Sequence, residues 1–188
     1  MSDDDIIDEL LAPLIAILRA RSVRWGSFTL ASGATSDLYV DARHTTLHAE
    51  GARLIAEAVL DRLDPAVVAV GGPVSGADPI AGAVAALSGL RGRPVHGFMV
   101  RKEAKGHGRK LFVEGRENLE DGAAVCVVED TVTTGGSLLQ AIARVEEAGL
   151  RVAQVIVVVD REEGAAERVA AAGYPFCALV RRRDLLEG

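Results

Sequence analysis

The N-terminal third of the chain shows a helical apolar pattern followed by two strand-like runs. Apolar residues recur every three or four positions between residues 6 and 18, which predicts an amphipathic helix. Pro13 lies inside this segment and lacks the N–H that a helix interior needs, so we expect a kink or a split into two short helices. Short apolar runs at 28–30 and 38–40, separated by Ser32-Gly33, predict two strands joined by a turn.

From residue 49 onward, apolar runs of strand length alternate with amphipathic helical segments. Strands that are apolar on both faces and alternate with helices predict a parallel sheet covered on both sides, and hence an α/β fold. We expect residues 1–45 to form a small N-terminal helix and hood, and residues 46–188 to form the α/β core, within one structural domain. The predicted strands are 66–70, 95–100, 123–128, 152–159 and 176–180, and the predicted helices are 49–63, 79–87, 137–148 and 165–172.

Composition narrows the classes of function. Apolar residues make up 49% of the chain, as expected for a globular protein. The 27 acidic residues exceed the 21 Lys and Arg, giving a net charge of −6, so we expect no general nucleic-acid binding. The N-terminal segment is acidic and no apolar run approaches membrane length, so we expect a cytoplasmic protein with no membrane partner.

The most informative stretch is 125–137, where a valine-rich run leads into Glu129 and Asp130 and then into a turn rich in Thr and Gly. In parallel α/β sheets, ligands bind beyond the carboxyl ends of the strands. Glycines allow several N–H groups to converge on one anion, and a following helix adds its positive N-terminal end. This predicts a phosphate cradle. A plain strand-to-helix turn capped by Asp130 is the alternative.

A basic segment at 101–110 follows another predicted strand. Six of its ten residues are Arg, Lys or His, in a chain that is acidic as a whole. A solvated charged hairpin is the ordinary interpretation of such a run. Cations beside a departing pyrophosphate would instead stabilise charge that develops in a transition state.

Two of these stretches resemble a known family. Residues 127–137 resemble the phosphoribosyl-pyrophosphate motif of type I phosphoribosyltransferases. The spacing Arg-Lys-Glu-x-Lys-x-His-Gly in 101–108 is similar to the catalytic loop of the orotate phosphoribosyltransferase family, and the likeness extends over about residues 25–164. No Walker A loop and no Gly-x-Gly-x-x-Gly fingerprint is present.

The resemblance implies a role for each matching residue. Glu129 and Asp130 would contact the ribose hydroxyls, and 131–137 would hold the 5-phosphate. The implied catalytic residues are Lys102, Lys105, His107 and Asp130. The implied phosphoribosyl-pyrophosphate site comprises Arg101, Lys102, Lys105, His107, Glu129, Asp130, Thr131, Val132, Thr133, Thr134, Gly135, Gly136 and Ser137.

The base-binding groups are implied in the same way. Arg161 follows the valine-rich strand and matches a family arginine that binds orotate, and Thr133 matches a second contact position. Residues 28–41 resemble the hood over the base, which brings Tyr39 and Val40 to orotate. The chain has Ala31 and Gly76 at positions where the family often has lysine, so we expect either weaker ground-state binding or a larger share of the ligand contact from other donors.

The resemblance implies a complete reaction scheme. Orotate N1 would attack C1 of phosphoribosyl pyrophosphate and release pyrophosphate, giving orotidine 5′-monophosphate in de novo pyrimidine synthesis. Mg²⁺ would be the cofactor, held mainly by the ligand, and a homodimer would place the 101–110 segment in the partner's site. A purine-base transferase and a non-enzymatic sensor of phosphoribosyl pyrophosphate remain the two alternatives.

Overall fold

A long helix and a small antiparallel sheet form the N-terminal part of the chain. The computed structural model describes residues 3–29, 35–103 and 112–186. Helix α1 spans Asp3–Arg21 and continues through Pro13, so the predicted split is wrong. Proline removes one backbone hydrogen bond from the helix. Leu14 and Leu18, which follow Pro13, are almost fully buried, and the free energy gained by burying them outweighs the lost hydrogen bond.

The two strands predicted for the hood are present. β1 (Val23–Thr29) pairs antiparallel with β2 (Thr35–Val40), with Val23 opposite Val40 and an irregularity between Trp25 and Phe28. β1 begins five residues earlier than predicted. The turn predicted at Ser32-Gly33, and Ala31 beside it, lie outside the described residues.

The predicted parallel α/β core is confirmed. The elements that follow the hood are α2 (Arg43–Thr46), α3 (Ala49–Leu60), β3 (Ala69–Pro73), α4 (Asp78–Leu90), β4 (His96–Val100), β5 (Val113–Glu114), β6 (Ala124–Val132), α5 (Gly136–Glu147), β7 (Arg151–Asp160), α6 (Ala165–Ala171), β8 (Phe176–Arg181) and α7 (Arg182–Leu186). The order of strands in the sheet is β5-β4-β3-β6-β7-β8, and all neighbouring strands are parallel except the β4–β5 pair.

Alternating side chains of the central strands fill two buried clusters, one on each face of the sheet. On β6, Cys126 and Val128 join the cluster formed with α1, α3 and α4. Val125 and Val127 join the cluster formed with α5 and α6. Strands buried on both faces explain the nearly continuous apolar runs. Residues of α1 and α3 share one of these clusters, so the N-terminal helix packs on the core. The division of the chain at residues 45/46 stays a prediction.

Several element boundaries differ from the predictions. β6 runs to Val132 and does not end at 128, so Glu129 and Asp130 lie within the strand rather than after it. β3 is shifted toward the glycines and ends at Pro73. α2, β5, α7 and a 3₁₀ turn at Arg116–Asn118 were not predicted, since each is too short to show a period. None of the helices in the described part of the chain has the length and apolar character needed to cross a bilayer.

Candidate active site

A cavity of about 300 Å³ opens at the carboxyl ends of β3 and β6. Its size is at the lower end of the range typical of small-molecule sites, roughly 300–1,000 Å³. The parallel strands of this sheet all end on the same side, so the loops that follow their carboxyl ends lie close together there. The described wall comprises Tyr39, Val40, Asp41, Ala42, Arg43, Pro73, Val74, Ser75, Gly76, Lys102, Glu129, Asp130, Thr131 and Ser137.

Glu129 is a buried carboxyl at the base of this cavity. The residue is only 7% exposed, and its Oε2 has no hydrogen-bond partner among the described residues. Burial, together with the neighbouring Asp130 carboxylate, raises the pKa of Glu129 to about 8, while Lys102 acts in the opposite direction. A buried polar atom without a hydrogen-bond partner lowers the stability of the fold. This oxygen is therefore suited to accept a hydrogen bond from a ligand hydroxyl or to bind a cation.

Asp130 faces the same cavity and touches the β3–α4 loop. Its Oδ1 accepts a hydrogen bond from the Thr131 N–H at 2.7 Å, and burial raises its pKa. A Cβ at position 76 would lie 2.5 Å from Asp130 Oδ1. Gly76 therefore permits an approach that any side chain would block, at the position where a family lysine was noted above.

The turn after β6 leads directly into α5. Gly135 precedes the helix with φ 78°, a left-handed conformation that favours glycine, and Ser137 lies in the first helical turn on the cavity wall. The Thr131 Oγ1 is buried without a hydrogen-bond partner among the described residues. Helix N–H groups and hydroxyls in this arrangement fit a phosphate.

The remaining members of the predicted phosphate turn do not line the described cavity wall. Val132 is buried in the core, and its carbonyl accepts the Arg161 N–H at 2.9 Å. Thr133 and Thr134 are exposed, and the Thr134 carbonyl accepts from Arg168 Nη1 at 2.9 Å. Gly135 and Gly136 shape the turn by their backbone.

The basic segment is described only at its start, residues 101–103. Lys102 lines the cavity. Arg101 instead pairs with Glu114 on β5, at 3.0 Å between Nη1 and Oε1, beside a neighbouring hollow. Lys105 and His107 lie outside the described residues.

The two hood residues expected to contact the base both lie at the cavity. Tyr39 and Val40 line its wall, and the Tyr39 ring lies 5.5 Å from that of Phe28. The sequence reasoning missed a neighbouring pair. Asp41 accepts Arg43 Nε and Nη2, both at 2.8 Å, and this guanidinium holds the pKa of Asp41 below its usual range. The signal was available in Val-Asp-Ala-Arg, where two charges follow a buried strand residue.

Arg161 is buried behind the hood strand rather than on the described cavity wall. It is 5% exposed, and its Nη2 lies 3.3 Å from both the Leu38 carbonyl and Glu163 Oε1. The predicted orotate contact therefore requires these neighbours to share the guanidinium with a ligand. Arg161 also ties the hood to the end of β7 across 123 residues of sequence.

Metal-binding capacity in this site depends on the paired carboxylates. Within residues 3–29, 35–103 and 112–186, no group of three or more His, Cys, Asp or Glu could hold a metal ion. Two carboxylates, one of them unpartnered, suit Mg²⁺, which is usually bound by one or two carboxylates together with substrate phosphates.

Comparisons with known proteins agree with this geometry. Residues 43–172 match the family model described as phosphoribosyl transferase domain. The chain is 47% identical over 178 residues to an orotate phosphoribosyltransferase of a Bradyrhizobium species, covering 93% of this chain and 96% of the relative. It is 44% identical over 182 residues to the Thermosynechococcus vestitus orotate phosphoribosyltransferase, covering 97% and 96%.

A solved structure is similar over nearly the whole chain. The Mycobacterium tuberculosis orotate phosphoribosyltransferase in complex with 5-phospho-α-D-ribosyl 1-diphosphate is 37% identical, with a TM-score of 0.76, covering 95% of this chain and 99% of that protein. The match includes both the hood and the sheet. This chain belongs to the orotate phosphoribosyltransferase family of phosphoribosyl transferases.

Proposed function

We propose that this chain transfers a phosphoribosyl group from phosphoribosyl pyrophosphate to orotate. Orotate reacts as the anion that has already lost its N1 proton. Its N1 attacks C1 of the sugar, and the C1–O bond to pyrophosphate breaks with its electron pair leaving on the pyrophosphate oxygen. The product, orotidine 5′-monophosphate, belongs to de novo synthesis of UMP. The observation that carries the proposal is the buried, unpartnered Glu129 beside Asp130, on a cavity that also reaches the start of α5.

The sugar and its 5-phosphate occupy the β6–α5 side of the cavity in this proposal. Glu129 and Asp130 accept hydrogen bonds from the ribose hydroxyls. This would give the buried Glu129 Oε2 the hydrogen-bond partner that it lacks among the described residues. Ser137 and the backbone of 131–137 hold the 5-phosphate at the positive end of α5. Holding C1 in place in this way lowers the entropy cost of the transfer.

Mg²⁺ is part of the proposal because the residues present fit it. Glu129 and Asp130 would contribute carboxylate oxygens to the ion, and the substrate would supply most of its remaining ligands. When bound, the ion neutralises charge on the pyrophosphate and fixes the orientation of the sugar.

Cationic side chains neutralise the departing pyrophosphate. Within the described wall, the cations are Lys102 and Arg43, the latter held in a fixed orientation by Asp41. Arg101, Lys105 and His107 would complete the set. Because negative charge grows on pyrophosphate as the C1–O bond breaks, these cations stabilise the transition state more than the ground state.

Orotate lies against the hood in this proposal. Tyr39 and Val40 cover one face of the ring, and Thr133 and Arg161 contact its polar edge. The Arg161 guanidinium would donate to the orotate carboxylate while keeping its link to the Leu38 carbonyl, since guanidinium carries five N–H donors. Both substrates are charged metabolites retained inside cells, which supports a cytoplasmic location.

An absorbance assay with a panel of bases tests the reaction. Purified protein mixed with Mg²⁺ and phosphoribosyl pyrophosphate should consume orotate, and adding pyrophosphate to orotidine 5′-monophosphate should regenerate it. Turnover of adenine, guanine or hypoxanthine without turnover of orotate would favour a purine transferase. Tight binding of phosphoribosyl pyrophosphate with no turnover of any base would favour a sensor.

We also propose a homodimer in which the 101–110 segment reaches the partner's site, while Lys102 near its start lines the cavity of its own subunit. Mixing Lys105→Ala protein with Asp130→Asn protein under exchange conditions tests this arrangement. If the lysine acts in the partner's site, each mixed dimer regains one intact site, and about a quarter of wild-type activity returns. If it acts within its own subunit, no activity returns.

A further inference from the structure

Arg144 on α5 contacts the start of the basic segment, at Arg101 and Lys102, and also Phe112, which lies just beyond the segment. Its Nη1 donates to the Arg101 carbonyl at 2.7 Å, and its Nη2 donates to the Lys102 carbonyl at 3.1 Å. The same guanidinium lies over the Phe112 ring, 4.6 Å from the ring centre. Residues 101–102 leave the sheet and Phe112 returns to it, so a single side chain contacts the chain at both points.

These contacts form a defined bridge rather than a chance approach. The guanidinium is planar and carries its donors in a fixed fork, so two adjacent carbonyls fix its orientation. The Arg101 N–H also donates to the Phe112 carbonyl at 2.8 Å, so residues 101 and 112, which both contact Arg144, are hydrogen-bonded to each other. The positive charge of the guanidinium is also attracted to the negative face of the Phe112 ring, which adds to the hold on this side chain.

α5 also carries the phosphate side of the cavity. Ser137 lies in its first turn and lines the cavity, whereas Arg144 lies seven residues further along the same helix. A helix rises by 1.5 Å per residue, so the two positions are held roughly 10 Å apart by continuous backbone hydrogen bonds. Through Arg144, this helix therefore fixes the main chain of Lys102 relative to the phosphate turn.

We propose that Arg144 is a positioning residue that sets Lys102 at the cavity through the carbonyls of residues 101 and 102. The inference rests on the proposed function, because Lys102 is taken to contact the pyrophosphate group. It assigns no contact between Arg144 and the substrate. A misplacement of about 1 Å at a catalytic group costs on the order of 100-fold in rate.

Steady-state kinetics of Arg144→Ala and Arg144→Lys test the proposal. We expect kcat/KM for phosphoribosyl pyrophosphate to fall about 10- to 100-fold in Arg144→Ala, while KM for orotate stays within about twofold. Arg144→Lys keeps the charge but loses the fork, and it should retain a clear defect. Arg151→Ala serves as the control and should match wild type. It removes an exposed arginine from the amino-terminal end of β7, whereas the cavity lies at the carboxyl ends of the strands.

A readout independent of turnover separates positioning from general destabilisation. Amide hydrogen exchange at Arg101, whose N–H bonds to Phe112, should become faster in Arg144→Ala, while exchange along β6 and the melting temperature stay near wild type. Unchanged exchange at Arg101 would contradict the bridge. A uniform loss of protection would mean that Arg144 stabilises the fold instead.

A double-mutant cycle with Lys102→Ala completes the test. If Arg144 acts through Lys102, the Arg144→Ala effect on kcat/KM should shrink to less than about threefold in the Lys102→Ala background. Fully additive effects would overturn the inference while leaving the proposed reaction intact. Absence of orotate turnover in the wild-type protein would instead refute the proposed function.

Discussion

The buried carboxyl of Glu129 should make the stability of the ligand-free protein depend on pH, and Glu129→Gln should remove the contribution of this residue. Glutamine has nearly the same shape as the protonated glutamic acid but never ionises. Folding raises the pKa of Glu129 from 4.5 to about 8 because burial disfavours the charged form. The folded protein therefore holds this proton more tightly than the unfolded chain does.

The sign and the size of the effect follow from linkage. Between about pH 4.5 and pH 8 the folded state binds more protons at this site than the unfolded state, so wild-type stability falls as the pH rises. At about 1.4 kcal/mol per pH unit, the full shift corresponds to at most roughly 5 kcal/mol. For a chain of this size, each kcal/mol moves the melting temperature by roughly 2–4 °C, so the effect is at most roughly 10–20 °C.

Thermal melts of wild type and Glu129→Gln from pH 5 to pH 9, with a chelator present, measure the effect. The two melting temperatures should be similar at pH 5, and the variant should become progressively more stable than wild type toward pH 9. Glu120→Gln, which removes an exposed carboxyl in the same way, serves as the matched control. A constant offset for Glu129→Gln across the range would refute the assignment of an unpaired, desolvated carboxyl.

The remaining predictions concern turnover and binding in the same cavity. Asp130→Asn should lower kcat by two orders of magnitude or more with the fold intact, as measured by the orotate absorbance assay and circular dichroism, because the amide replaces an acceptor for the ribose hydroxyl. Lys102→Ala should lower kcat about 100-fold or more, with a smaller change in KM for orotate, since the cation acts mainly on departing charge. Gly76→Ala should raise KM for phosphoribosyl pyrophosphate several-fold with little change in melting temperature, because the added Cβ displaces the Asp130 carboxylate. Calorimetry in two buffers near pH 7 should show proton release when Mg²⁺ and phosphoribosyl pyrophosphate bind together, since the ligand favours the charged form of Glu129; equal apparent enthalpies in both buffers would contradict this.

The architecture was accessible from sequence because burial leaves a periodic signal. β6 and β7 are buried on both faces, and their valine-rich runs predicted a parallel sheet. The end of β6 was misplaced because Glu129, Asp130 and Thr131 are polar, and a propensity argument stops at charged residues. Pairing with β7 continues the strand through them, with Glu129 opposite Val157. Tertiary pairing here outweighs local preference.

The candidate site was predictable as a set of residue types but not as a set of contacts. Adjacent carboxylates before a Thr/Gly turn and a cationic run after a strand indicated an anionic sugar-phosphate. The burial of Arg161 against the Leu38 carbonyl depends on packing between elements 123 residues apart, and the turn of Arg101 toward Glu114 depends on the pairing of β4 with β5. No spacing rule within the chain reports such contacts.

The close approach of Gly76 to Asp130 makes the two positions sterically interdependent. A lysine at position 76 would place its Cβ 2.5 Å from Asp130 Oδ1, so the carboxylate or the β3–α4 loop would have to move to accommodate it. A charge added at position 76 is therefore not an independent change, and its effect on activity should be non-additive with substitutions of Asp130.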